Sequence, residues 1–425
     1  MSAVTTPLGE LIHKYRRKAE MTLAQLQELT GTNKSNLSRI ENGEVRRPDF
    51  NKVRTISEVL HIPTEDIIKP YIELEHRSAA LFLIFHETLQ TSNTSLITAV
   101  AAKFLQSADG DSYDLVEQLY ITVNTIKEVP VKLALLKLIV EHCRNHGMQP
   151  FVAKGLYQQY LIERNDFATL NTTYVLGEYA LKYAQFLTER ERIVLHYVLG
   201  IHAYCILHFD EAIRLSEYVI EHDKTDSEYK ASAILNVSNA YYYLGKYEIS
   251  QFYLDTYSTF SFPQIKENAQ LRRAMLLGKT GDIESAILQL ADYLNHASAY
   301  NIIYAVTELM DLYLTKNDLN AAKRLLQYEA DMEQSIQDIR TTPFKRSKLA
   351  YFYQMKGKLL LNELELEAAF DAYLNSALTY KQISLYDGML QSISSITQSM
   401  VDHYRLLKLE TVQKANAIIK TIYQH

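Results

Sequence analysis

Between residues 165 and 369 one short pattern keeps returning. It is a small or polar residue, a polar residue, an apolar residue, and an Ala-like residue three positions on. It stands as Asn165-Asp166-Phe167, His208-Phe209 with Ala212, Gly245-Lys246-Tyr247 with Ser250, Gly281-Asp282-Ile283 with Ala286, and Asn317-Asp318-Leu319 with Ala322. A looser copy is Leu364-Glu365-Leu366 with Ala369. Equivalent positions 170, 212, 250, 286, 322 and 369 are separated by 42, 38, 36, 36 and 47 residues. Gly and Pro are scarce, at 13 and 8 in 425 residues, and no period-two alternation persists. Self-similarity at such a period excludes a single mixed core. It calls for small supersecondary units that bury their apolar faces only by stacking.

The period is slightly longer than the roughly 34 residues of a tetratricopeptide repeat, and the pattern is TPR-like. The small residue lets the second helix of each hairpin approach the first, and the apolar residue at the turn plugs the gap. Stacked hairpins predict an α-solenoid with a concave face lined by first helices. In that register the groove-facing, peptide-binding candidates are Gln159, Tyr197, Tyr204, Asn236, Asn239, Tyr242, Arg272, Met275, Glu308 and Asp311, followed by Gln354 and Lys358. Asn236 and Asn239 share one helical face. An amide can bond both the C=O and the N–H of an extended peptide, whatever its side chains are. Arg272 suits a peptide carboxylate, and Glu308 or Asp311 a peptide cation. The competing reading of each residue is a hydrated helix face.

The N-terminal 69 residues follow a different plan. Leu8, Leu11, Ile12, Tyr15 and Ala19 outline a first helix, and Leu23, Leu26 and Leu29 give the second an apolar stripe. Thr22 and Gln25 form a capping box for that second helix. Gly31 sits where a tight turn needs a left-handed residue, and Asn33 can cap the third helix. Leu37 and Ile40 face inward there, leaving Lys34, Ser35, Asn36 and Arg39 outward, and Gly43 ends it. Pro48 and Asp49 open a fourth helix with Phe50, Val53, Ile56, Val59 and Leu60 inward; Pro63 and Thr64 open a fifth, closed by Pro70. This is the pattern of a helix-turn-helix that reads base edges in the major groove of double-stranded DNA. It resembles the Xre-type family, which includes the phage repressors. The resemblance implies a structural pair between Arg16 and Glu41. It puts base contacts at Lys34, Ser35 and Arg39, with Asn36 beside them, and a phosphate contact at Asn42. Family members often carry a phosphate-touching Gln where this chain has Leu23, so Thr22, Arg46 or Arg47 would have to serve.

Charge supports the division weakly. Residues 1–70 hold 11 Lys/Arg against 9 Asp/Glu, a net of +2, so the remainder of a chain at −6 carries −8. A mildly basic head on an acidic body suits a small DNA-binding domain joined to something that does not touch DNA. No 18-residue apolar run appears and the first residues lack a secretory pattern, so no membrane partner is expected. Cys143 and Cys205 lie far apart without metal-ligand spacing, as in a reducing cytoplasm, and structural burial is the reading for both. No P-loop, GxSxG or HExxH motif is present. The pair His142 and His146 lacks a third ligand and reads as helix surface. Neither an enzyme, a cofactor nor a metal is expected.

The expected organisation is all-α: a five-helix Xre-type head over 1–69, linker helices and degenerate hairpins over 70–150 that are a candidate dimer contact, and a TPR-like repeat domain over 151–425. The combination resembles the RRNPP group of peptide-sensing regulators (Rgg, Rap, NprR, PlcR and PrgX types), with the NprR/PlcR layout nearest. The resemblance implies a cytoplasmic quorum-sensing transcription factor, a homodimer or higher homo-oligomer on a near-palindromic operator. It also implies a short signalling peptide held in the groove by Asn side chains. A second reading within that group is a Rap-type interaction protein whose repeats capture a response regulator or phosphatase.

Overall fold

The computed structural model describes residues 7–423, with the side chain of Tyr423 left out. The first six residues of the N-terminal stretch read for a secretory pattern lie outside the described residues. The described residues are helical without strands. By their contacts they form two compact units, Met1–Ile162 and Glu163–His425.

The first unit begins with α1 (Pro7–Lys18), α2 (Leu23–Thr30), α3 (Lys34–Glu41), α4 (Phe50–Val59) and α5 (Thr64–Ile72). Local signals set these boundaries. Thr22 and Gln25 close a reciprocal capping box on α2, Gly31 ends it at φ 68°, and Asn33 accepts from the Asn36 amide to start α3. Asp49 caps α4 in the same way. Leu8, Ile12, Leu26, Leu37, Ile40, Val53 and Ile56 form the core.

Leu29 and Pro70 depart from the sequence expectation here. Leu29 is 61% exposed while Leu26 is fully buried. A three-residue step turns about 300°, so an i, i+3, i+6 stripe drifts round the helix and only its middle member stays inward. Pro70 does not close α5, which runs on to Ile72. The missing N–H forfeits one bond in a last turn whose Ile67, Ile68, Tyr71 and Ile72 are all buried, and their packing holds the register.

The same unit continues through α6 (Ser78–Thr88), α7 (Thr94–Leu105), α8 (Ser112–Thr125), α9 (Val129–Asn145) and α10 (Gln149–Glu163). The stretch 70–150 is anchored to the head: Asn93 donates to Glu65 at 2.7 Å, and Glu87 pairs with Arg54 at 2.7 Å. The division at 162/163 falls inside the segment expected to open the repeat domain at 151.

The second unit contains α11 (Leu170–Leu181), then the hairpins α12 (Glu189–Cys205) with α13 (Phe209–His222), α14 (Glu228–Tyr243) with α15 (Tyr247–Tyr257), and α16 (Ile265–Lys279) with α17 (Ile283–Leu294). Next come α18 (Ile302–Thr315), short α19 (Leu319–Arg324) and α20 (Glu329–Ser335), and the long α21 (Pro343–Asn362). The unit ends with α22 (Leu366–Lys381), α23 (Tyr386–Asp402) and α24 (Leu409–Tyr423). The repeated small residues Ala212, Ser250, Ala286, Ala322 and Ala369 are all buried at hairpin contacts. The residue opening each turn takes a left-handed backbone: Leu207, Gly245, Gly281, Asn317 and Leu364 all have φ between 57° and 104°.

The unit differs from an open solenoid by closing on itself. Ser384, in the turn after α22, donates to the carbonyl of Ala168 at 2.8 Å, and Asn171 donates to the Ser384 carbonyl at 3.4 Å. Phe167 packs on the cluster around Ala350, Tyr380 and Ile383. The first turn of α21 also enters the space between first helices, where Phe344 packs tilted on Tyr204 and edge-to-face on Tyr243 with centroids 4.5 and 5.3 Å away.

Candidate DNA-binding face and groove

The helix-turn-helix face is held from behind. Arg16 of α1 forms a two-pronged pair with Glu41 at the end of α3, at 2.6 and 2.7 Å, and donates to the Met21 carbonyl at 2.9 Å. Both side chains are buried, and the carboxylate raises the Arg16 pKa. Such a pair fixes orientation more than it adds stability. Gly9 completes the joint: a Cβ there would lie 2.4 Å from the Glu41 carbonyl oxygen, so α1 and α3 meet backbone to backbone. Sequence reasoning missed Gly9, because a glycine inside a helix gives no signal of what faces it.

Outward from this joint, Lys34, Ser35 and Arg39 are exposed and Asn36 is half-buried. Gln27 of α2 accepts from the Lys34 amide at 2.7 Å, which locks the start of α3 to α2. Arg39 has one loose ionic contact, 3.7 Å from exposed Glu44. Thr22, Asn42, Arg46 and Arg47 are exposed around the face.

The groove expectations divide. Tyr204, Asn236, Asn239 and Arg272 line one cavity of about 200 Å3 with Asn268, Asn301, Tyr304 and Phe344. Tyr242, Glu308 and Asp311 line a second of about 430 Å3 with Lys279, Tyr351 and the other side of Phe344. Gln159 is buried in α10 of the first unit, and Met275 is buried within the repeats. Tyr197 is half-buried and packs at a tilt against Tyr229, centroids 5.0 Å apart. Gln354 donates to Ser392 Oγ at 2.8 Å, and Lys358 is exposed.

Chemistry separates the lining residues further. The Asn236 NH2 group donates to the Gly200 carbonyl at 3.2 Å and to Ser216 Oγ at 2.9 Å, bracing the hairpin of α12 and α13. Asn239 carries no such tie. Glu308 accepts from the Tyr242 hydroxyl at 2.8 Å and lies 3.6 Å from Lys279. Asp311 accepts from Tyr351 at 2.8 Å and pairs with Lys279 at 3.3 Å. Burial, with the adjacent carboxylates, holds the Tyr242 and Tyr351 phenols protonated far above their ordinary range. Both acidic residues expected to take a peptide cation already have internal donors. Their partners lie up to 66 residues away in sequence, beyond local patterning.

Comparison with known proteins agrees with the head. Residues 9–72 match the helix-turn-helix domain family. No curated protein sequence matches the chain. Among solved structures the chain is similar to a tetratricopeptide repeat protein from Parabacteroides merdae, at 16% identity over 65% of this chain and 99% of that one, TM-score 0.45. It is also similar to Bacillus thuringiensis PlcR in complex with the peptide PapR7 and DNA, at 13% identity over 91% of this chain and 99% of that one, TM-score 0.34. A Rap protein complexed with competence and sporulation factor is 10% identical over 76% of this chain and 98% of that one, TM-score 0.39.

Proposed function

We propose that the chain is a cytoplasmic, sequence-specific transcriptional regulator of the RRNPP type. Its head binds DNA through α3, and a short signalling peptide in the groove of the second unit switches that binding. The observation that carries this reading is the exposed Lys34, Ser35 and Arg39 edge of α3, with its orientation fixed by the buried Arg16–Glu41 pair, inside the stretch that matches the helix-turn-helix family. Arg39 is the residue best suited to a two-pronged contact with guanine. Lys34 and Ser35 stand at the helix start, which enters the groove first. As a homodimer the protein would place two such helices about 34 Å, or a multiple, apart on a near-palindromic site. Peptide acts only through a difference in affinity between two states of the protein, and a few kcal/mol suffices.

The test is selection of binding sites from random duplex DNA with the full chain and with Arg39→Ala. Wild type should enrich a two-fold-related motif. The variant should bind that motif more weakly by about 1–3 kcal/mol and lose discrimination at one base pair in each half. Failure of wild type to enrich any motif would move the reading to the Rap-type alternative, in which the repeats capture a response regulator.

A further inference from the structure

One guanidinium in the groove has no counter-charge. Arg272 projects from α16 into the cavity it shares with Tyr204, Asn239 and Tyr304. It reaches Met275 Sδ at 3.4 Å and stands over the Tyr304 ring at 5.4 Å, and among the described residues no carboxylate pairs with it. Lys279, the nearest comparison in the second cavity, has two. A half-buried cation surrounded by aromatic rings loses hydration that a thioether does not replace.

The surrounding polar groups make the same point independently. The Tyr204 side chain is 6% exposed, lines this cavity, and its hydroxyl has no hydrogen-bond partner. The Tyr243 hydroxyl, on a ring 6.1 Å from that of Tyr204 and lining the second cavity, is also buried and unpartnered. Buried hydroxyls nearly always find a partner, so two orphans together are unusual. With the Asn239 amide and Arg272, the cavity offers O–H and N–H donors from three side chains. An acceptor that is planar, anionic and able to take two parallel N–H bonds would satisfy them at once, and a carboxylate has that form.

Phe344 sets the direction of a ligand lying there. It lines both cavities, so it divides the chamber of Arg272 from the larger, tyrosine-rich chamber in which Lys279 already balances Glu308 and Asp311. We infer that Arg272, Asn239 and the Tyr204 hydroxyl form a carboxylate-binding subsite. The groove ligand is then a short peptide that places a free carboxylate on Arg272 and runs over Phe344. This rests on the peptide-binding reading proposed above. The carboxylate is either the peptide C-terminus or an Asp or Glu side chain.

Four pools of random synthetic heptapeptides distinguish the cases: free-acid termini without Asp or Glu, amidated termini with Asp and Glu, both carboxylates, and neither. Each pool is equilibrated with the full-length protein, and retained peptides are identified by mass spectrometry. Pools bearing a carboxylate should be retained and the pool with none should not. The first two pools name the source. Arg272→Gln should weaken the best retained peptide by about ten- to hundredfold, and Tyr204→Phe by several-fold. Arg272→Lys should fall between wild type and Arg272→Gln, because the charge stays and the fork is lost. Thermal unfolding of each variant identifies any that misfold, and Tyr204→Phe changes no volume in the core. Equal retention of the carboxylate-free pool, with Arg272→Gln indifferent, would overturn the subsite and leave peptide binding standing. Retention of no pool by wild type would overturn both.

Discussion

Asn236 and Asn239 sit three residues apart on one helix, both nearly buried, and do different work. The Asn236 NH2 group ties α14 to the Gly200 carbonyl and Ser216 of the preceding hairpin. Gly200 allows this because a Cβ there would lie 3.0 Å from Ser216 Oγ, so the two helices of that hairpin already touch. Removing the Asn236 amide leaves a buried carbonyl and a buried hydroxyl short of a donor, and Asn236→Ala should cost about 1–3 kcal/mol of stability. Asn239→Ala removes an amide with no protein partner and should change stability by no more than about 0.5 kcal/mol. Urea unfolding of the two variants reads this difference directly. Calorimetry with a bound peptide then reads the other half: loss of affinity should belong to Asn239→Ala at unchanged stability. A pair of equal denaturation midpoints would mean that Asn236 does not brace the hairpin.

At the scale of elements, the hairpin turn is a single device used repeatedly with different residues. Its first position is left-handed in every copy from Leu207 to Leu364, yet glycine fills it only at 245 and 281. A side chain in that conformation costs about 1–2 kcal/mol relative to the right-handed region, and glycine gives back part of the gain through chain entropy. Leu364 is 59% exposed at φ 60°, so little packing is lost on truncation. Leu364→Gly should therefore raise stability by about 0.5–1 kcal/mol, seen as a higher urea midpoint at unchanged slope. A lower midpoint would show that the leucine packs more than its exposure suggests. The same turns mark what could be read in advance. Capping boxes, the Gly31 turn and the small buried residue at each hairpin depend on neighbours within four residues, so sequence carries them. The entry of Phe344 between Tyr204 and Tyr243, the contact of Ser384 with Ala168, and the pairing of Lys279 with Glu308 and Asp311 depend on how hairpins curve. No local pattern encodes that curvature. Groove residues could thus be nominated from the register, but which of them retain free hydrogen-bonding capacity could not.

For the molecule as a whole, the two units carry different acid-sensitive groups. In the second unit, burial pushes His196 and His202 down to about 4. His202 shares a 3.0 Å hydrogen bond between Nε2 and the Leu170 carbonyl, and His196 stacks on Tyr218 at 3.5 Å. Both are neutral in the folded protein near neutrality, whereas in the unfolded chain they take a proton below about 6.5. The unfolded state then binds more protons, so stability is full above pH 6.5 and is lost as pH falls toward 4, by about 3 kcal/mol for each histidine. In the first unit, the Arg77 guanidinium and backbone amides hold the buried Glu75 carboxylate down to about 2. That contribution is present above the ordinary carboxylate range and is lost only between about pH 4.5 and 2. Burial also lowers half-buried His142 of the first unit, a smaller effect in the same upper window. Acid should thus loosen the second unit first. Proteolysis at pH 7, 5 and 3 with mass mapping of the cuts would show cleavage beyond residue 163 at pH 5, while 7–162 resists until lower pH. His202→Gln keeps an N–H donor for the Leu170 carbonyl and cannot be charged, so it should flatten the loss between pH 6.5 and 4. An unchanged pH profile in that variant would assign the sensitivity to other groups.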